Sequence, residues 1–174
     1  MKVPVGAGGN NAPRRAARLR GIYDARQIPP DPLFMVIDMP QKVFPFLMFS
    51  GQTEEAMHFY VSLFAQAEIL SLTRYGANEA GREGTVVHAT FSLKGQVLMC
   101  IDSSVPQPFT FTPAMSLYVV CETAQEIARV FARLSQNGAV LMPLAAYPFS
   151  KLYGWVQDRF GVSRQLSLED SEIA

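Results

Sequence analysis

Twice along this chain the same order of elements can be read: a short apolar run, an amphipathic helix, then three further strand-like runs. Residues 43–49 (VFPFLMF) form an apolar run stopped by Ser50 and Gly51, as expected of a strand. Thr53, Glu54 and Glu55 follow, a side-chain cap and two acidic groups suited to the positive end of a helix. Ala56, Phe59, Tyr60, Leu63 and Phe64 then recur at helical spacing. Residues 69–75, 85–93 and 96–101 read as strands, the last two joined at Lys94-Gly95. In the run 85–93, Val87, Ala89, Phe91 and Leu93 alternate with His88, Thr90 and Ser92, so the two sets face opposite ways.

Beyond Pro106, Pro108 and Pro113 the order returns. Residues 115–121 predict a strand. Thr123 caps a helix reaching about Gln136, with Ile127, Val130, Phe131 and Leu134 on its buried stripe and Asn137-Gly138 ending it as a glycine cap. Strands follow over 139–143, 153–158 and 163–168. This pattern predicts an α+β domain of two tandem βαβββ modules, about 43–104 and 114–168. Their mixed sheet curves around a cleft, with each helix on the outer face of its own sheet.

Composition supports one core. Of 174 residues, 49% are apolar and 17% charged, well clear of the disordered regime. No apolar stretch is long enough for a membrane span. A net charge of +0 gives no electrostatic footprint for nucleic acid. Charge is uneven, however: residues 1–38 hold six basic and three acidic side chains, the rest nine and twelve. The opening segment carries turn-forming VGAGGN and a proline stop at QIPPDP. Residues 1–38 are therefore expected to be a disordered basic extension, or to precede a true start at Met39, with the domain spanning 39–174. Cys100 and Cys121 lie in strand-like runs, make no zinc spacing, and fit buried thiols in a reducing cytoplasm.

Two segments carry a family resemblance. PFLMFSGQTEEAMHFYVSLF, residues 45–64, resembles the opening of the PhnB-like branch of the vicinal oxygen chelate superfamily. This is the glyoxalase, bleomycin-resistance and dihydroxybiphenyl-dioxygenase fold. GWVQDRFGVSRQL, residues 154–166, resembles that branch's DRFG-x-SWQ ending, with Arg164 where Trp is usual. The resemblance implies paired βαβββ modules and often a homodimer. Members often carry the label 3-demethylubiquinone-9 3-methyltransferase. A common S-adenosylmethionine site needs a glycine-rich strand–helix turn in a parallel doubly wound sheet. The glycines at 51, 76, 81, 84, 95, 138, 154 and 161 sit singly at turns, so no cofactor is expected.

Metal-dependent members hold a divalent ion on four inner strands. Carried onto this chain, those positions fall at Pro45, between Met99 and Asp102, at Met115 or Ser116, and at Gln165. Too few of these side chains ligate strongly, so no metal is expected. His88 is the candidate acid or base if its face lines the cleft, against the alternative of a histidine bonded to strand neighbours. Ser116, Tyr118, Trp155, Gln165 and Asp102 are the candidate ligand-binding groups. Against them stand plain sheet alternation for Gln165, core or interface packing for Tyr118 and Trp155, and turn capping for Asp102. His58 lies off the buried stripe and is expected to face solvent. The expected function is metal-independent binding of an unknown small molecule between the modules. The alternatives are an isomerase or lyase using His88 and, behind it, the methyltransferase of the family label.

Overall fold

The computed structural model describes residues 43–169. The reading of residues 1–38, and the Met39 start, lie outside them. The first module runs β1 (Phe46–Phe49), α1 (Thr53–Val61), β2 (Ala67–Arg74), β3 (Val86–Leu93) and β4 (Gln96–Asp102). The second runs β5 (Ser116–Cys121), α2 (Ala124–Ser135), β6 (Ala139–Tyr147), β7 (Ser150–Gln157) and β8 (Ser163–Leu168). The two modules have equivalent sheets, ordered β1-β4-β3-β2 and β5-β8-β7-β6. The opening strand of each pairs parallel with the closing strand, and the remaining ladders are antiparallel. A parallel pair needs a crossover, and the helix supplies it. The expected βαβββ repeat is thus present, as two four-stranded mixed sheets.

Each sheet has one face under its helix and one open face. In the first, Leu47, Phe49, Ala89, Phe91, Leu98 and Cys100 are buried beneath Ala56, Met57 and Tyr60 of α1. Val86 is buried and Val87 is not, because a bulge shifts the register between Thr73↔His88 and Arg74↔Val86. The expected run of alternation therefore breaks at Val87. In the second module, Val156 and Leu166 lie with Ile127, Val130 and Leu134 of α2. The helix-covered residues of both modules belong to one hydrophobic cluster.

Several contacts join the modules on this covered side. Arg129 Nη2 and Arg133 Nη1 of α2 donate to the Leu63 and Ser62 carbonyls at the end of α1, at 2.8 and 2.9 Å. Phe160, in the β7–β8 turn, packs on Phe49, Phe59 and Tyr60. Arg164 pairs with Asp158, and its guanidinium lies 3.9 Å from the Tyr60 ring centroid. Arg164 is only 1% exposed, so it belongs to the interior of this join. By contrast Phe46 and Tyr118, on the open faces, are 52% and 58% exposed.

Three local expectations change. Thr53 is the first residue of α1 rather than its cap, and Gln52 in the cap position makes no side-chain bond. Asn137, at φ 58°, takes the left-handed conformation after α2, not Gly138. Gly138 is needed for another reason: a Cβ there would run into the Gln157 carbonyl and lie 2.9 Å from that of Leu134. Strand β6 continues past Pro143 to Tyr147. It is an edge strand, where a proline's missing N–H interrupts no ladder on the outer side. Thr123 does cap α2, its hydroxyl accepting from Glu126 N–H at 3.0 Å.

Candidate functional site

Alternation decides what the open face of the second sheet presents. Leu117, Val119, Arg164, Leu166 and Val156 take the covered side, so Ser116, Tyr118, Ser163, Gln165 and Trp155 take the other. Register then sets them in rows. Tyr118 lies opposite Gln165, and Gln165 opposite Trp155, giving Tyr–Gln–Trp across three adjacent strands. Ser116 and Ser163 form part of the next row.

A hydrogen-bond network fixes these groups. Trp155 Nε1–H donates to Ser163 Oγ at 2.8 Å, and Ser163 and Ser116 share a bond at 2.7 Å. Tyr153 Oη donates to Gln165 Oε1 at 2.8 Å. Burial, reinforced by the neighbouring Tyr118 and Tyr147 phenols, pushes the Tyr153 hydroxyl above its ordinary pKa, so it stays a protonated donor. Tyr147 and Phe149 stack at 5.6 Å, and Tyr153 meets both edge-on. Tyr153 escaped the sequence reading. The usable signal was its place two residues before Trp155, hence on the same strand face.

The structure therefore brings Ser116, Tyr118, Trp155 and Gln165 together and leaves two candidates elsewhere. His88 is on the open face of the first sheet, opposite Thr73, with its ring 6.2 Å from Phe46. Asp102 is buried under the start of α1. Its Oδ1 accepts from Gly51 N–H (2.7 Å), Thr53 N–H (3.1 Å) and Thr53 Oγ1–H (2.8 Å), and its Oδ2 from Val86 N–H (2.9 Å). This carboxylate closes the helix N-terminus and lies apart from the candidates of the second sheet. Asp102 itself lines a recess of about 390 Å³, together with Ser50, Arg82, Ser103 and Gln107 among others. His58 is exposed and lies 3.9 Å from Glu54.

The metal positions can be tested against these placements. Pro45 gives its carbonyl to Met99 N–H at 3.0 Å and by alternation sides with covered Leu47. Met99, Ser116 and Gln165 offer a thioether, a hydroxyl already bonded to Ser163, and an amide already bonded to Tyr153. Among the described residues no three His, Cys, Asp or Glu side chains converge. This donor set does not fit a divalent ion, which needs three or more hard or imidazole ligands. Both cysteines are free and buried. Burial, then the Asp102 charge, pushes the Cys100 thiol up to about 12; burial, then Glu126, pushes Cys121 up to about 11.

Two mixed sheets in a repeated βαβββ order, each with a helix behind and an open face in front, define a protein of the vicinal oxygen chelate superfamily. The likeness to solved structures agrees. A glyoxylase/bleomycin resistance protein/dioxygenase domain from Frankia sp. EAN1pec, 13% identical, matches at TM-score 0.55 over 77% of this chain and 95% of its own, which shows the fold. Protein PA1353 from Pseudomonas aeruginosa is 25% identical, with TM-score 0.65 over 74% of this chain and 98% of its own. A putative 3-demethylubiquinone-9 3-methyltransferase, the PhnB protein from Bacillus cereus, is 63% identical, with TM-score 0.73 over 74% of this chain and all of its own. Residues 41–167 match the family described as 3-demethylubiquinone-9 3-methyltransferase, and the chain belongs to that family. None of the curated proteins matches it.

Proposed function

We propose that this protein binds a small, partly planar molecule on the open face of its second module, without a metal ion. The row Tyr118–Gln165–Trp155 carries this reading. Adjacent strands lie about 4.8 Å apart, so the two rings stand roughly 10 Å apart, the width of a bicyclic ligand. Aromatic side chains flanking an amide supply stacking area and an orienting hydrogen bond together. Native mass spectrometry with elemental analysis tests it by reporting a carried-over ligand, a metal and subunit number in one measurement. A small-molecule adduct without metal is expected, lost in Tyr118→Ala and Gln165→Ala. An adduct kept in both variants, or a stoichiometric divalent ion, overturns the reading. A homodimer fits it as well, since the exposed rings of Phe46 and Tyr118 are apolar area that a second copy would cover.

A second reading makes the protein an isomerase or lyase with His88 as acid or base. Its support is the placement of His88 on an open sheet face beside Phe46. His88→Ala should then abolish turnover, and an unchanged rate eliminates the idea. The methyltransferase of the family label has less support. Each described sheet has one parallel pair among antiparallel ladders, unlike the doubly wound sheet that holds S-adenosylmethionine. Two free buried thiols are compatible with a reducing cytoplasm. No described helix is long and apolar enough to cross a membrane.

A further inference from the structure

The recess beside the start of α1 is separate from the second-sheet face and has a lining of its own. Three segments far apart in sequence meet there: Ser50 and Gly51 before α1, Arg82 and Thr85 between β2 and β3, and Asp102 with residues 103–107. The module repeat shows which of these parts the fold does not itself require. Residues 75–85 join β2 to β3, whereas Pro148 and Phe149 alone join β6 to β7 in the second module. Leu168 takes the register place of Asp102, opposite the last residue of the opening strand. The longer link has a defined shape. Tyr75 N–H donates to the Thr85 carbonyl at 2.8 Å, and Gly84 N–H to that of Tyr75 at 2.9 Å. Thr85 donates twice to the Arg82 carbonyl, from N–H at 3.0 Å and from Oγ1–H at 2.5 Å. Gly81 lies against the Tyr75 ring, where a Cβ would clash. Gly51, at φ 88°, makes room for Arg82, since a Cβ there would stand 3.3 Å from Nη2.

Arg82 differs from the other described arginines. Arg74, Arg129, Arg133, Arg159 and Arg164 each donate to a carboxylate or a carbonyl. The Arg82 guanidinium bonds to none of the described residues, and neither do the Ser50 and Ser104 hydroxyls of the same lining. Asp102 does not serve as its counter-charge: that carboxylate is 3% exposed, and its two oxygens already accept four bonds from Gly51, Thr53 and Val86. Arg82 is thus the ionic group of the lining left without a bonding partner. We infer that the recess is an oxyanion site, in which a carboxylate or phosphate group of a small molecule pairs with the Arg82 guanidinium and accepts from the Ser50 and Ser104 hydroxyls. A planar guanidinium suits either group, because two parallel N–H bonds match two of its oxygens. At about 390 Å³ the recess falls within the roughly 300–1,000 Å³ typical of small-molecule sites, so it has room for the organic body behind the anionic group.

The full-length protein, labelled with nitrogen-15, is titrated at pH 7 with inorganic phosphate and with benzoate, each at constant ionic strength against sodium chloride. The backbone amides of Gly51, Arg82, Ser103 and Ser104 should shift with one saturating curve for at least one of the two anions. Tighter phosphate assigns the site to phosphate esters and tighter benzoate to carboxylic acids. Trp155 is the sole tryptophan, so its indole N–H is one identifiable resonance on the second-sheet face, and it should not move. Arg82 is exposed, so Arg82→Gln removes no buried contact and should melt as the parent does while binding about tenfold more weakly, the loss of one charge-assisted pair. Arg82→Lys, which keeps the charge without the fork, should fall between them. No shift with either anion beyond that of chloride overturns the inference, as does an affinity unchanged in Arg82→Gln. Shifts centred on Trp155 overturn it too, by placing the anion on the other face.

Discussion

Arg164 shows how one substitution within a familiar pattern redirects local chemistry. Where the ending pattern it resembles has Trp, this chain buries a guanidinium at 1% exposure between Asp158 and the Tyr60 ring. Asp158 also accepts from Phe160 N–H and Val162 N–H through Oδ1, so it holds the turn as well as the arginine. Arg164→Ala would leave that carboxylate buried without its counter-charge, a loss of about 3–5 kcal/mol measurable by urea denaturation. The double variant R164M/D158N should recover a large part, because Asn keeps an oxygen for the two N–H groups. The thiols give a second test at this scale. With Cys100 up at about 12 and Cys121 at about 11, neither should react with a disulfide reagent at pH 8 until the chain unfolds, when both titrate together.

At the scale of elements, the two helices begin by different means. A buried carboxylate from β4 closes α1, whereas Thr123 and Glu126 close α2 locally. Asp102→Ala should therefore cost about 3 kcal/mol or more, since several buried donors lose their acceptor at once, and a chemical melt reads this directly. At α2, burial would raise the Glu126 carboxyl, but the Glu122 N–H it accepts and the Lys94 ammonium outweigh burial and hold it below its usual range. A depressed carboxylate contributes stability above its unfolded pKa and loses it as pH falls through the folded one. Glu126→Gln should accordingly lower stability at pH 7 and flatten its decline in acid, checked by melts across pH 3–7. The α2 stripe and strand β8 were legible because their periodicity is unbroken, whereas α1 ends at Val61, leaving Leu63 and Phe64 beyond it, and buries Met57 off the expected stripe. Less legible were the features set by partners distant in sequence. Asp102 reads as a turn residue until Gly51, Thr53 and Val86 are seen around it, and Pro143 reads as a stop until β6 is known to be an edge. Ser116, Tyr118, Trp155 and Gln165 could be paired in advance only as members of faces. Tyr153, which orients one of them, needed the β7–β8 register.

Over the whole molecule, the modules share one hydrophobic cluster and are bridged by Arg129, Arg133 and Phe160. Such sharing predicts a single cooperative transition in which neither module survives alone. Scanning calorimetry should show one peak, coincident with loss of the near-ultraviolet signal of Trp155, which reports on the second module. Two peaks, or an early Trp155 signal, would contradict it.

The division between a covered and an open side of each sheet has an evolutionary consequence. The side chains packed under the helices and those left on the open faces sit on opposite surfaces of the same strands. Alternate codons along β1, β5 and β8 therefore answer to different selective pressures. A lineage can rewrite Phe46, Ser116, Tyr118 or Gln165 while leaving Leu47, Leu166 and their neighbours intact, and under the function proposed above such changes would alter the compound bound. One scaffold can thus keep its architecture while its open faces diverge.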